Sequence, residues 1–248
     1  MEFVHELEHA GDNIPEAIYH PSTSWNAIVH QYTKGTLKRV VLEMTMDNNF
    51  YIDCSIAFRS SDRATLKLCY AHRIGRVEHG AEATLEKRVS GILSRAIQTI
   101  LDHPQVASLK HLYMEGSGTA CNLELSTEAI GRLLGSVGPL EKLTLYSCDL
   151  RPYLDPFFDT PLFPKAIQPT SFPPIKELAI IFPVQSFYDK VYAAAIVKLA
   201  RSQHAREVPI EHIVLSPTGS PPPVKYELLA FVNTVGMHHK PLLDEDES

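Results

Sequence analysis

The chain has few cysteines, and their spacing matches no familiar cysteine motif. The four lie at positions 54, 69, 121 and 148, without the CxxC spacing of a zinc ribbon or a thioredoxin-like site. Long apolar runs are also missing. The most apolar helix-like segment, residues 191–200, contains Lys198 and is far too short to cross a bilayer. We therefore expect neither a metal site nor a membrane partner.

Positive charge is scarce as well. The formal net charge is -6 at pH 7, whereas nucleic-acid binding depends on Lys and Arg side chains that neutralise phosphates. The sequence contains no nucleophile elbow, P-loop or kinase motif, and Glu2, Glu6 and Glu8 interrupt any apolar run of a signal peptide. We expect a non-enzymatic protein of the cytoplasm or nucleus, without a cofactor and without a nucleic-acid partner.

Two segments that alternate apolar and polar residues, 50–58 and 64–70, predict a β-hairpin. A two-residue loop would place Cys54 opposite Cys69. A single buried face instead requires Ile56 to lie opposite Leu68, and this register moves Cys69 to the other side. We therefore predict four reduced thiols, as is usual inside cells.

A six-residue pattern that occurs five times is the main feature of the sequence. Its copies begin at residues 37, 109, 140, 175 and 210. Each copy has aliphatic residues or Met at its first, fourth and sixth places, and charged residues or His at its second and third. Such self-similarity indicates a repeat protein. The later copies are spaced about 35 residues apart, and the first interval is about two periods long, with the hairpin where another repeat would stand.

Amphipathic segments between the copies predict helices. Apolar stripes with helical spacing lie in residues 85–100, 130–137, 188–199 and 224–235, and a shorter one lies in residues 24–34. The proline-rich connections, 152–174 and 217–223, are expected to form neither helix nor central strand. The chain is predicted to form one domain over residues 1–240. Its expected parts are a helical N-terminal cap (1–36), a hairpin insertion (50–70) and, beyond the domain, a disordered acidic tail (241–248).

Two α/β architectures fit this alternation of strands and helices. A doubly wound sheet is covered on both faces, so its strands are continuously apolar. Here only the fourth and sixth places are consistently apolar, which favours one buried face. The third copy, residues 140–150, also matches the L-x-x-L-x-L-x-x-C-x-L consensus. This favours a short, irregular leucine-rich-repeat-like solenoid, a parallel sheet with helices on one face and an inserted hairpin, in which Cys148 is a buried turn thiol.

Residues 140–150, 172–180 and 197–215 together resemble the leucine-rich-repeat region of the F-box proteins that are numerous in mushroom-forming fungi. The resemblance implies that the repeats recognise a substrate for a ubiquitin ligase. In that family an N-terminal F-box docks on the Skp adaptor of a cullin–RING ligase. Residues 1–36 lack the Leu-Pro-rich F-box pattern, so the resemblance does not extend to adaptor binding.

One catalytic motif is present literally. His5-Glu6-Leu7-Glu8-His9 reads H-E-x-x-H, which on a helix places two His on one face to bind zinc beside a general-base Glu. A zinc-dependent hydrolase is therefore the alternative function, with Glu16 as a conceivable third ligand. The surrounding sequence instead favours a polar N-terminal helix, because no substantial sheet precedes the motif and the metzincin continuation is missing.

The open face of the sheet is the predicted binding surface for a protein partner. If the fourth and sixth places point inward, the third, fifth and seventh point outward, in a mixture of Tyr, basic and acidic residues that suits protein binding. Tyr113 and Tyr146 are its expected anchors. The alternative is a sheet face that is merely solvated. The outward residues are Arg39, Val41, Glu43, His111, Tyr113, Glu115, Lys142, Thr144, Tyr146, Glu177, Ala179, Ile181, His212, Val214 and Ser216.

Overall fold

The computed structural model describes residues 2–9, 36–46, 51–60, 65–73, 82–116, 123–146, 148, 150–159, 172–181, 190–216 and 224–237. The strands are β1 (Glu2–His9), β2 (Leu37–Met46), β3 (Tyr51–Ser60), β4 (Thr65–Arg73), β5 (His111–Gly116), β6 (Leu140–Tyr146), β7 (Ile175–Ile181), β8 (His212–Ser216) and β9 (Thr234–Met237). The α-helices are α1 (Glu82–Leu101), α2 (Leu123–Ser136), α3 (Arg151–Leu154), α4 (Lys190–Ala205) and α5 (Val224–Leu228).

The described strands form one sheet in the order β1-β4-β3-β2-β5-β6-β7-β8-β9. Strand β3 is antiparallel to both of its neighbours, β2 and β4. Every other pair of neighbouring strands is parallel. The prediction of an α/β protein with a mostly parallel sheet is confirmed.

The apolar places of the repeated pattern form the core. All five copies contribute to the strands β2, β5, β6, β7 and β8 or to the residues just before them. Every first, fourth and sixth residue is buried in one hydrophobic cluster. The fourth and sixth share a face because alternate side chains of a strand point to the same side. These core residues are Leu37, Val40, Leu42, Leu109, Leu112, Met114, Leu140, Leu143, Leu145, Ile175, Leu178, Ile180, Ile210, Ile213 and Leu215.

The helices bury their apolar stripes against these strand residues. Ile97 and Ile100 of α1, Leu133 of α2, and Ile196 and Leu199 of α4 belong to the same cluster as the strand residues. Consecutive helices also contact one another along the chain. The described helices therefore lie on one face of the sheet, as predicted. Helix α2 begins at Leu123, several residues before the apolar stripe at 130–137, and ends before Gly138-Pro139.

The inserted hairpin has the predicted register. Strands β3 and β4 place Ile56 opposite Leu68, Cys54 opposite Tyr70 and Ser55 opposite Cys69. Cys54 is buried and is not in a disulfide, and the register places Tyr70, not Cys69, opposite it. The hairpin extends the sheet beyond β2 and is not a separate layer.

Three sequence predictions are wrong. Residues Glu2–His9 of the expected helical cap form strand β1, because they pair in parallel with β4. The expected helix over 224–235 ends at Leu228, and its last apolar residues form β9 beside β8. The proline-rich connection includes the short helix α3, because Pro152 lies in its first turn, where no backbone donor is needed. The expected helix at 24–34 and the acidic tail at 241–248 lie outside the described residues.

Side chains at or just after the end of a helix bind the backbone at the start of a strand. The Leu37 N–H donates to the Gln105 side-chain carbonyl at 2.8 Å. At the end of α4, Arg206 donates to the Phe172 carbonyl and Gln203 to the Pro173 carbonyl, each at 2.8 Å. These three hydrogen bonds are called the clasps below. They join the start of β2 to the segment after α1, and the segment before β7 to the end of α4.

Candidate functional site

The candidate site is the sheet face that points away from the helices. Because parallel neighbours keep their register, its side chains form three rows across the strands. The N-terminal row is Arg39, His111, Lys142, Glu177 and His212. The middle row is Val41, Tyr113, Thr144, Ala179 and Val214. The C-terminal row is Glu43, Glu115, Tyr146 and Ile181, with Ser216 next in register. The predicted outward residues thus come together on one face.

Side chains of the N-terminal row make three separate polar contacts. His111 Nε2 lies 3.5 Å from Glu141, and Lys142 Nζ lies 3.0 Å from Glu177. His212 Nδ1 lies 2.6 Å from the Thr234 hydroxyl on β9. These side chains are partly or fully exposed, so each contact contributes at most about 1 kcal/mol to stability. The row is accessible and rich in donors.

The middle row corrects the expectation of a fully open face. Tyr113 is 8% exposed, Thr144 4% and Ala179 0%. Ile181, in the C-terminal row, is also only 4% exposed. Val41 and Val214 keep partial exposure. The accessible surface is therefore divided into two rows with a largely buried row between them, and Tyr113 cannot be the anchor that the sequence predicted.

Tyr113 is buried in the fold and is hydrogen-bonded to a neighbouring carboxylate. Its hydroxyl donates to Glu115 Oε2 at 2.8 Å. Burial raises the pKa of Tyr113 well above its usual value of 10.0, and the hydrogen bond to Glu115 and the charges of Glu115 and Glu43 raise it further. The folded protein therefore favours the neutral phenol of Tyr113 over its ionised form.

Tyr113→Phe should reduce the sensitivity of stability to alkaline pH. Because the phenol ionises more readily in the unfolded chain, its contribution is complete below about pH 10 and is lost as pH rises further. We expect the free energy of unfolding of the original chain to fall more steeply than that of the variant above this pH. Urea titrations of both proteins from pH 8 to 11 measure it, and parallel curves would contradict the raised pKa.

The C-terminal row places two carboxylates side by side. Glu43 and Glu115 are directly in register on β2 and β5, and Tyr146 follows on β6. All three are partly exposed. Nearby, the half-buried Cys148 thiol donates to the Met114 carbonyl at 3.1 Å, so this thiol is less buried than the sequence predicted.

The prediction omitted the residues that β3 adds to this face, Arg59 among them. Arg59 on β3 is exposed and lies directly opposite Arg39, so it belongs to the same face. The signal was the alternation of the hairpin, in which Cys54, Ile56 and Phe58 are buried and Arg59 has opposite parity. It was not usable because the pairing of β3 with β2 could not be deduced from one sequence.

The zinc motif lacks the geometry that it needs. His5 and His9 lie on strand β1, where four residues span roughly 13 Å, and not on a helix that brings them together. In the described part of the chain, no three His, Cys, Asp or Glu side chains are grouped to hold a metal ion. Nothing in the geometry therefore favours the zinc-hydrolase alternative.

Comparison of the chain with profiles of known protein families, with curated proteins and with solved structures found no match. Among the helices of the described residues, none has the length and apolar character that crossing a bilayer requires.

Proposed function

We propose that this chain is a non-catalytic protein-recognition module and that its partner binds the sheet face away from the helices. The observation that carries the proposal is the pair of accessible rows, in which polar and aromatic side chains from consecutive strands stand in register. A rigid sheet presents such side chains at fixed spacing, which lowers the entropic cost of binding. Tyr146 replaces Tyr113 as the principal aromatic contact.

The finer proposal concerns family and cellular role. We propose a short, irregular leucine-rich-repeat-like solenoid that acts in the cytoplasm or nucleus, with the bound protein as the substrate of an F-box-type ubiquitin ligase. Support comes from the consensus match at residues 140–150 and from helices on one face of a mostly parallel sheet. Binding to a Skp-type adaptor is not part of the proposal, because residues 1–36 lack the F-box pattern.

Affinity capture with a face variant tests the proposed function. Lys142→Ala with Tyr146→Ala removes one side chain from each of the two accessible rows, and we expect at least about a tenfold loss of the captured partner, since truncating interface anchors typically costs 1–2 kcal/mol or more. Quantitative mass spectrometry of proteins captured by the purified full chain gives the measurement.

The matched control is Glu128→Ala with Arg132→Ala on the exposed surface of α2. This variant should retain the partner, and circular dichroism should show the same thermal unfolding for both variants. Equal capture by the face variant and the original chain would overturn the proposal, as would equal losses in both variants.

A further inference from the structure

His103 is a buried histidine in the segment that joins α1 to β5, outside the candidate site. It is 3% exposed, and its ring stacks on Phe58 of β3 with the ring centroids 5.3 Å apart and an interplanar angle of 21°. Its backbone N–H donates to the Ile100 carbonyl, and its backbone carbonyl accepts from the Val106 N–H. The imidazole ring is therefore positioned both by the core and by its own turn.

The Gln105 backbone determines which ring nitrogen of His103 carries the hydrogen. Its N–H donates to Nδ1 at 3.1 Å. A backbone N–H can only donate, so Nδ1 is the acceptor and the hydrogen of the neutral ring is on Nε2. Protonation would add a hydrogen to Nδ1 and direct it at the Gln105 N–H. Two donors cannot bond to each other, so the charged ring excludes this hydrogen bond whatever Nε2 contacts.

Gln105 also holds the start of β2. Its side-chain carbonyl accepts from the Leu37 N–H at 2.8 Å, and its backbone carbonyl accepts from the Ser108 hydroxyl at 2.8 Å. If the Gln105 backbone moves away from the His103 ring, its side chain moves with it. A proton on His103 therefore acts on the clasp at Leu37, two residues before Arg39 of the N-terminal row.

The stacked Phe58 ring does not oppose this effect. An aromatic face attracts a cation, whereas burial of a charge is unfavourable. These two terms act on the ring as a whole, and the stack is compatible with both forms of the imidazole. The Gln105 hydrogen bond is the contact that must change when Nδ1 is protonated.

Other ionisable groups lie on the segments around His103, which are α1, β2 and β3. Asp102, the preceding residue, is partly exposed and accepts from the Gln98 side-chain amide at 2.7 Å. The other charged side chains that the structure describes on these segments and on the connection to β5 are all exposed or partly exposed. They are Lys38, Arg39, Glu43, Arg59, Arg95 and Lys110.

We propose that His103 makes the Gln105 clasp sensitive to acid, so that protonation of its ring releases Gln105 from Leu37 and frees the start of β2. The closed clasp requires the neutral ring, and opening takes up one proton, so a falling pH favours the open form. Histidine is the side chain that usually changes charge between about pH 5 and 8. The inference concerns the fold and does not depend on the proposed function.

Nuclear magnetic resonance of the full chain, with ¹⁵N-labelled histidine, tests the ring tautomer. The His103 signals are those that disappear in His103→Asn. At pH 8 they should show an Nδ1 without hydrogen and an Nε2 with hydrogen. A hydrogen on Nδ1 at this pH would overturn the inference.

Hydrogen exchange at the Leu37 amide tests the release. Because one proton is taken up, its protection factor, corrected for intrinsic exchange, should fall by up to about tenfold per pH unit, and we expect at least about a fivefold fall between about pH 8 and 5. The Leu140 amide, which donates to the Pro174 carbonyl at 2.8 Å, is the internal control and should keep its protection.

Two variants assign the effect to one ring. In His103→Asn the side-chain carbonyl can accept the Gln105 N–H but does not titrate, so the pH dependence at Leu37 should disappear. His204→Asn replaces an exposed histidine of α4 and should preserve it.

Protection of Leu37 that is constant with pH, or that falls equally in His103→Asn and in the original chain, would overturn the inference. Parallel falls at Leu37 and Leu140 would do the same, because they would indicate general acid unfolding. If His103→Asn does not fold, the comparison of Leu37 with Leu140 in the original chain and in His204→Asn still decides.

Discussion

Leu178→Ala should lower the free energy of unfolding by about 2–5 kcal/mol, the usual cost of emptying a packed Leu site. Leu178 is 1% exposed. Its register neighbours, Leu143 on β6 and Ile213 on β8, are also buried. The loss combines removal of apolar surface from the core with the cavity that the rigid sheet cannot collapse. Urea unfolding followed by circular dichroism measures the difference.

The control on the same strand is Lys176→Ala. Lys176 is exposed, and its backbone carbonyl, which accepts from Glu211, is unchanged by the substitution. We expect an effect within about 0.5 kcal/mol. Similar effects for the two substitutions would mean that β7 does not present Leu178 to the helices, and the assignment of the core face would then be wrong.

Gly138→Ala should lower the free energy of unfolding by about 1–3 kcal/mol. Gly138 lies between α2 and β6, and an added Cβ would stand 2.4 Å from the backbone carbonyl oxygen of Ala107. A backbone oxygen cannot rotate away as a flexible side chain does. The segment that contains Gly138 and the segment that contains Ala107 would have to move apart, and this movement would strain the start of β6.

Gly91→Ala is the comparison, with the opposite sign. Gly91 lies inside α1, and an added Cβ would meet no atom within 4 Å. Because Ala favours the helix over Gly, we expect a gain of roughly 0.5–1 kcal/mol. Differential scanning calorimetry of both variants tests the pair. Destabilisation by Gly91→Ala, or none by Gly138→Ala, would contradict the packing around these glycines.

The repeated pattern predicted the central sheet because its information is local. The apolar places at residues 140–145 predict which side chains enter the core, namely Leu140, Leu143 and Leu145. The same holds for the hairpin, where placing Ile56 opposite Leu68 required only one buried face. In these segments local pattern and tertiary packing agree.

The failures occur where tertiary contacts override local pattern. Residues 2–9 resemble a polar helix, but pairing with β4 makes them a strand. The apolar spacing of 224–235 suits a helix, yet Val235 is buried as part of β9 beside β8. Neither partner strand can be identified from a single sequence, because sheet pairing joins residues that are distant along the chain.

The sequence predicted which residues of the parallel strands lie on the face of the candidate site, but it did not predict how exposed each of them is. Alternation identified Arg39, Glu43, Glu115 and Tyr146 as outward residues, and the structure places them on one face. Burial of Tyr113 was not predictable, because it depends on everything that surrounds a side chain in space. Recognition of Arg59 required the register between β3 and β2.

The order of the strands in the sheet affects where local unfolding begins and how it spreads. In the described residues, β1 and β9 are the outermost strands, and each pairs with one neighbour. In such nearest-neighbour arrangements, local opening costs least at the ends and propagates inward. Strands β3, β2 and β5 are interior, and the Gln105 clasp fixes the start of β2. The side chains of the candidate site on β2 and β5 therefore lie where opening from either end of the sheet arrives last, so their relative positions persist while the outer strands open and close.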